Sequence, residues 1–299
     1  IAQIVDIVPR KAEGNFLYVR FLLDAMAKGL RPMEKLEGLP EGLDALYFDS
    51  LERMYRLRER EGKRDWLNEY SSLMGMLSAV QEPPTSAQLQ SFTGLSETSI
   101  VHYLSDLQQF IEEVSSQDVN VEQEVRYHLY HRSVIDFLHR RSLTFNKRQV
   151  GNRFYLSAVE WHEKLAKRCE LDDLSVIWEN VQYDPVEQGR RDYARKHYIT
   201  HLYHAPHLWD RLFDVLDTGK YGRAKVVYDR SMRSYIQDLD LGRRAAALES
   251  LPMKKRLELL PRLWHYTLLR CSLTSRADHY SLAAFEALLL LGREGQALD

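Results

Sequence analysis

The sequence predicts a mostly helical protein with one small β-hairpin, and three observations predict it. Apolar residues recur at helical spacing through almost all of the 299 residues, and 44% hydrophobic content is ample for a large core. One run alone, Val125 to Leu138 (VRYHLYHRSVIDFL), alternates as a strand does and then changes to helical spacing. From about Asn146 onward only short helical stripes remain, separated by Gly, Pro and polar clusters, which suggests an α-solenoid of antiparallel helices.

The first helix covers residues 11–28, with Phe16, Val19, Leu22, Leu23 and Met26 on one stripe and Gly29 as its stop. Pro40 suits the first position of the next helix, because its missing N–H would be unbonded there. That helix runs from about Glu41 to Arg60, with Leu43, Leu46, Tyr47, Phe48, Leu51 and Met54 on its apolar side. The charged run Arg56 to Arg64 reads as solvated surface. Trp66 to Val80 forms an amphipathic helix stopped by Pro83-Pro84. A short helix, Ser86 to Thr93, precedes a tight turn at Gly94-Leu95. Ser96 caps a third helix carrying Ile100, Tyr103, Leu104, Leu107 and Phe110. A hairpin through Ser115 to Asn120 then completes the order of a winged helix, and its two strands are the only sheet expected.

The Val125 to Leu138 run closes that order. Val125, Tyr127 and Leu129 alternate with polar or amphipathic neighbours. Ser133 stands where an N-cap is expected, and Asp136 can reach back in the manner of a capping box. His131 falls in the gap between strand and helix. A helix N-terminus favours anions, and a histidine there can donate to a phosphate oxygen.

Beyond Asn146, stripes occur around Phe154–Leu165, Leu174–Val181, Tyr193–Tyr203, Leu208–Leu216, Ala224–Ile236, Ala245–Leu251, Leu257–Leu269 and Ser281–Leu291. No clean repeat period is present. The ending FEALLLLGREGQALD resembles one helix pair of a tetratricopeptide-type repeat.

Three stretches together resemble STAND signalling NTPases of the NACHT branch. They are GNFLYVRFLLDAM, GLPEGLDALYFDSL and the strand–His-x-Ser–aromatic helix of VRYHLYHRSVIDFL. The resemblance is good over residues 11–145 and loose beyond. It implies a helical lid over residues 1–61, a winged-helix domain over 62–145 and an α-helical sensor region over 146–299. It also implies that His131 touches the β-phosphate of a nucleotide in the resting state and that Pro40 packs against its adenine.

The chemistry of turnover is missing. No GxxxxGK[ST] loop occurs, so neither a phosphate cradle nor Mg²⁺ ligands can be assigned, and the chain is not expected to be an enzyme. ADP or ATP would be held only together with a nucleotide-binding domain encoded upstream. The chain starts at Ile1 inside what reads as an element and stops at Asp299 in what looks like a helix, which is how a piece of a longer protein reads.

Two further chemistries are weighed. The third helix, SETSIVHYLSDLQQF, has no Lys or Arg and carries Glu97 and Asp106, which argues against reading DNA. In KHYITHLYHAPH, the spacing of His197, His201 and His204 puts three imidazoles on one helix face within reach of one zinc, with His207 following and Asp192 or Asp210 nearby. Interleaved tyrosines and leucines favour packing over metal. His162-Glu163 fails the HExxH pattern.

Composition adds bounds. A net charge of −2 gives no global attraction to nucleic acid or acidic membranes. Cys169 and Cys271 have no metal or redox spacing, and so few cysteines fit a cytoplasmic setting. No signal peptide is visible, and the apolar run near Leu282–Leu291 is too short to span a bilayer. The expected partners are a protein or ligand at the helical array and, on activation, further copies of the parent protein.

Overall fold

The computed structural model describes residues 2–31, 38–60, 70–115, 125–145, 148–170, 177–178, 185–229, 231–248 and 252–277. Among these, the chain forms thirteen α-helices and two antiparallel hairpins, so the mostly helical class is correct. None of the helices is long and apolar enough to cross a membrane. The chain divides into two compact units. One is Ile1–Trp161 with Tyr183–Gly189, and the other is His162–Gln182 with Arg190–Asp299.

The first unit opens with α1 (Ala2–Ala12) and α2 (Phe16–Ala27). Helical spacing alone predicts a single helix over residues 11–28. The chain breaks because Glu13 and Gly14 both take positive φ, at 51° and 77°, and the Asn15 side chain then caps α2 by accepting from the Leu17 N–H at 2.9 Å. The break also rotates the buried stripe, which is Tyr18, Phe21, Leu22 and Ala25, while Phe16 is 75% exposed. Gly29, at φ 68°, ends α2 as expected: its N–H returns to Met26 O at 3.0 Å.

Helix α3 (Leu43–Arg60) starts two residues later than expected. Gly42 takes φ 81° and gives its N–H to Lys11 O at 2.9 Å, so Pro40 lies ahead of the helix and not at its first position. Next come α4 (Ser71–Ala79), α5 (Ser86–Thr93) and α6 (Glu97–Asp106). Thr85 and Gln88 form a reciprocal capping box on α5, Gly94 ends it in the left-handed region, and the Ser96 side chain caps α6. Of the expected helix Trp66–Val80, the portion 66–69 lies outside the described residues.

Strand β1 (Ile111–Ser115) pairs antiparallel with β2 (Val125–Leu129), Ile111 opposite Leu129. The expected hairpin turn at 116–120 lies outside the described residues. Helix α7 (Arg132–Leu138) follows, and then a second hairpin, β3 (Ser142–Phe145) with β4 (Arg148–Gly151). This second sheet corrects the expectation of a single one and of helices alone past Asn146. Ser142–Phe145 alternates, but over the shortest length that signals a strand, and Arg148–Gly151 carries a single apolar residue and is exposed throughout. Only Leu143 is buried in it, and Phe145 is placed by its contact with the Phe48 ring, 5.5 Å between centroids.

The core of this unit is aromatic. Phe21 meets Tyr47 at 4.8 Å, Phe110 at 5.2 Å and Tyr130 at 5.8 Å, and Tyr47 meets Phe137 at 5.7 Å. Rings from α2, α3, the α6–β1 connection, the end of β2 and α7 thus share one interior.

Helices α8 (Ala158–Glu170) and α9 (Pro185–His204) each contribute to both units by residue. The second unit continues with a 3-10 turn at Pro206–Leu208, α10 (Trp209–Asp217), α11 (Lys220–Tyr228), α12 (Arg233–Ala246) and α13 (Met253–Ala277). The expected single stripe Ala224–Ile236 is two helices, because Asp229 turns the chain by accepting from Ser231 and Ser234. Ala245 lies in the last turn of α12, which ends at Ala246, where the sequence suggested a separate element. The stripe Leu174–Val181 lies outside the described residues except for Ile177 and Trp178, and the expected helix Ser281–Leu291 and repeat-like ending lie outside them entirely.

Candidate functional site

His131 is the N-cap of α7, in extended conformation at φ −159° and ψ 154°. This corrects the assignment of the cap to Ser133. The imidazole Nδ1 accepts the Ser133 backbone N–H at 3.1 Å and lies 2.9 Å from Ser133 Oγ. Ser133 Oγ in turn lies 2.8 Å from Tyr47 Oη. The directions that satisfy all three groups run outward from the core: Tyr47 O–H donates to Ser133 Oγ, and Ser133 O–H donates to Nδ1. Nδ1 then has no room for a proton, so the neutral ring carries it on Nε2. His131 is exposed and Tyr47 is fully buried. Burial pushes the Tyr47 phenol up to about 12, so it remains a donor throughout the physiological range. The anion-binding argument therefore changes: the cap position is filled by the imidazole itself, and the outward-facing donor is Nε2–H.

Pro40 is half-buried and fixed through its backbone. The buried Tyr18 donates to its carbonyl at 2.7 Å, and burial pushes that phenol up to about 12 as well. Lys11 pairs with Glu41 at 2.9 Å beside it. A shallow cavity of about 380 Å³ lined by Ile7, Arg10, Lys11 and Glu41 lies next to this segment. Tyr18 and Tyr47, which hold the two candidate residues, come from the same unit, on α2 and α3.

The histidines of α9 fold into the second unit. His201 is fully buried, with Nδ1 2.8 Å from His162 Nδ1 and Nε2 2.8 Å from Tyr193 Oη. His204 stacks on His162 at 4.6 Å, and His197 lies against the Tyr193 ring at 4.8 Å. Both His201 nitrogens are thus engaged by non-metal partners. Among the described residues, no group of three or more His, Cys, Asp or Glu is arranged to hold a metal ion. Burial, then the neighbouring His162, His197 and His204, hold His201 well below the usual histidine range. His162 matches no metal motif in the sequence. Its signal was its place on the apolar stripe Phe154–Leu165, where a histidine must meet a polar partner.

A second buried group was missed outright. Lys225 Nζ bonds Asp238 Oδ2 at 2.6 Å, the two side chains being 1% and 3% exposed, and Tyr221 donates to the same oxygen at 2.8 Å. Burial raises the Asp238 carboxyl, and Lys225 opposes that rise. The signal was a lysine within the stripe Ala224–Ile236.

No family model matches this sequence, and no curated protein or solved structure matches it.

Proposed function

We propose that residues 1–145 are the lid and winged-helix part of a STAND-type signalling ATPase of the NACHT branch, and that residues 146–299 begin its helical sensor array. In this reading the chain is regulatory and not itself an enzyme. His131 donates through Nε2–H to the β-phosphate of ADP, Pro40 packs on the adenine, and a nucleotide-binding domain supplies the rest of the site. The relay Tyr47–Ser133–His131 carries the reading, because it leaves an exposed imidazole with one outward donor of fixed identity. The order α4–α5–α6–β1–β2 supports the winged helix, and the Tyr18 bond to the Pro40 carbonyl gives that proline a fixed place.

Binding of a protein or ligand to the helical array would favour an open, oligomerising form only through its different affinity for the two forms. The test is ADP retention by the parent protein through gel filtration. His131→Ala is expected to release ADP and raise basal signalling, and retention equal to wild type would count against the reading. A second reading, a helical interaction scaffold that uses no nucleotide, is favoured by the exposed apolar stripe on α13. A gel shift tests DNA binding, which α6 disfavours by its sign of charge.

A further inference from the structure

Helix α13 packs on α12 through one face and presents the other to solvent. Leu259 and Tyr266 are buried, whereas Met253, Leu257, Leu260, Trp264 and Leu268 are 66%, 58%, 44%, 63% and 64% exposed. Their spacing is four, three, four and four. At about 100° per residue these five side chains span only ~80° of the helix, along roughly 22 Å of its length. Such a contiguous exposed apolar row on a folded unit marks an interaction surface. Its narrow width is that of a coiled-coil seam, with Met253 and Leu260 at d and Leu257 and Trp264 at a.

Charge selects the occupant. In the first heptad the e and g positions beside the seam are Lys254 and Arg256, both exposed and, among the described residues, without an ion pair; the later ones within the row are Pro261, Leu263 and Leu268, so the charge sits at the N-terminal end of the row. Other cations of α13 are engaged below: Lys255 with Asp210 at 3.5 Å, Arg262 with Asp217 at 2.7 Å and Arg270 with Asp240 at 2.9 Å. Glu258 is the single acid of the helix. Residues at e and g set partner choice in coiled coils. A second copy has no acid at its e or g positions to meet Lys254 and Arg256, since its one acid, Glu258, falls at b, whereas an acidic helix supplies such partners.

We infer that the outer face of α13 docks an amphipathic helix with acidic flanks from a protein partner, read by the seam Met253–Leu268 and by Lys254 and Arg256. This deepens the partner-sensing half of the proposed function and is independent of the nucleotide half, so binding measured without nucleotide separates the two.

Two fluorescein-labelled synthetic peptides of about three heptads test it on the whole chain, both with leucine at a and d, one with glutamate and one with lysine at e and g. Fluorescence anisotropy is expected to show the glutamate peptide binding at least tenfold more tightly than the lysine peptide. Trp264→Glu and Leu257→Glu, both at exposed positions, are expected to weaken it tenfold or more. Lys254→Glu with Arg256→Glu is expected to reverse the preference. Equal binding of the two peptides, or binding indifferent to Trp264→Glu, overturns the inference. Dimerisation of the wild type lost in Trp264→Glu would assign the face to a second copy. Binding to phosphatidylserine vesicles lost in that variant would assign it to a membrane. Tenfold tighter peptide binding after truncation at Ala277 would assign it to residues 278–299. Each of these three also overturns it.

Discussion

At the scale of single residues, two hydrogen-bonded imidazoles decide what this chain can do with a charge. His131 offers an outward donor because Ser133 and Tyr47 occupy its other nitrogen. His201 offers none, because His162 and Tyr193 take both of its nitrogens in the interior. The second case has a pH consequence. Burial lowers His201, His204 and His139 below their ordinary value of 6.5. The unfolded chain therefore binds protons that the folded chain refuses, and stability present above pH 6.5 is lost as pH falls below it. The urea midpoint is expected to drop between pH 7.5 and 5.5, and a constant or rising midpoint would contradict this assignment. Lys225 is the other decisive side chain. Lys225→Met leaves Asp238 buried without its cation and is expected to lower unfolding free energy by about 3–5 kcal/mol. Adding Asp238→Leu should recover part of that, as urea titration of both variants would show.

At the scale of elements, close approach shapes the packing. A Cβ on Gly75 would sit 1.9 Å from Trp161 Cε2, so α4 and the start of α8 meet only because that position is bare. Gly75→Ala forces the indole aside and is expected to destabilise by ~1–3 kcal/mol, visible as a lower thermal midpoint. The sequence announced most element ends where local chemistry is strong. Gly29, Gly94 and Ser96 all act as their residue types suggest. It misled where tertiary contacts choose between local options. Ser133 is a better cap by type than His131, yet its hydroxyl is drawn to Tyr47 and the imidazole takes the cap. The β3–β4 hairpin sets Phe145 against Phe48, a contact between residues 97 positions apart that no local pattern encodes. The Lys225–Asp238 pair was illegible for the same reason: two charges on separate helices look solvated until folding buries them together.

At the scale of the whole molecule, two compact units carry two kinds of surface. The first unit holds His131 and Pro40 through Tyr47 and Tyr18, and the second presents the seam on α13. The switch reading assigns nucleotide to the first and a partner to the second. One hydrogen bond from His131 to a charged phosphate is worth ~1.5–3 kcal/mol, about tenfold or more in occupancy of the resting form. Tyr47→Phe removes the innermost support of the relay while leaving the imidazole, so its effect should be smaller than that of His131→Ala. The most direct measurement is the ADP dissociation rate from the parent protein, followed with a fluorescent ADP analogue in wild type, Tyr47→Phe and His131→Ala. The account predicts a rate raised about tenfold or more in His131→Ala and by less in Tyr47→Phe. A rate unchanged by His131→Ala would contradict it.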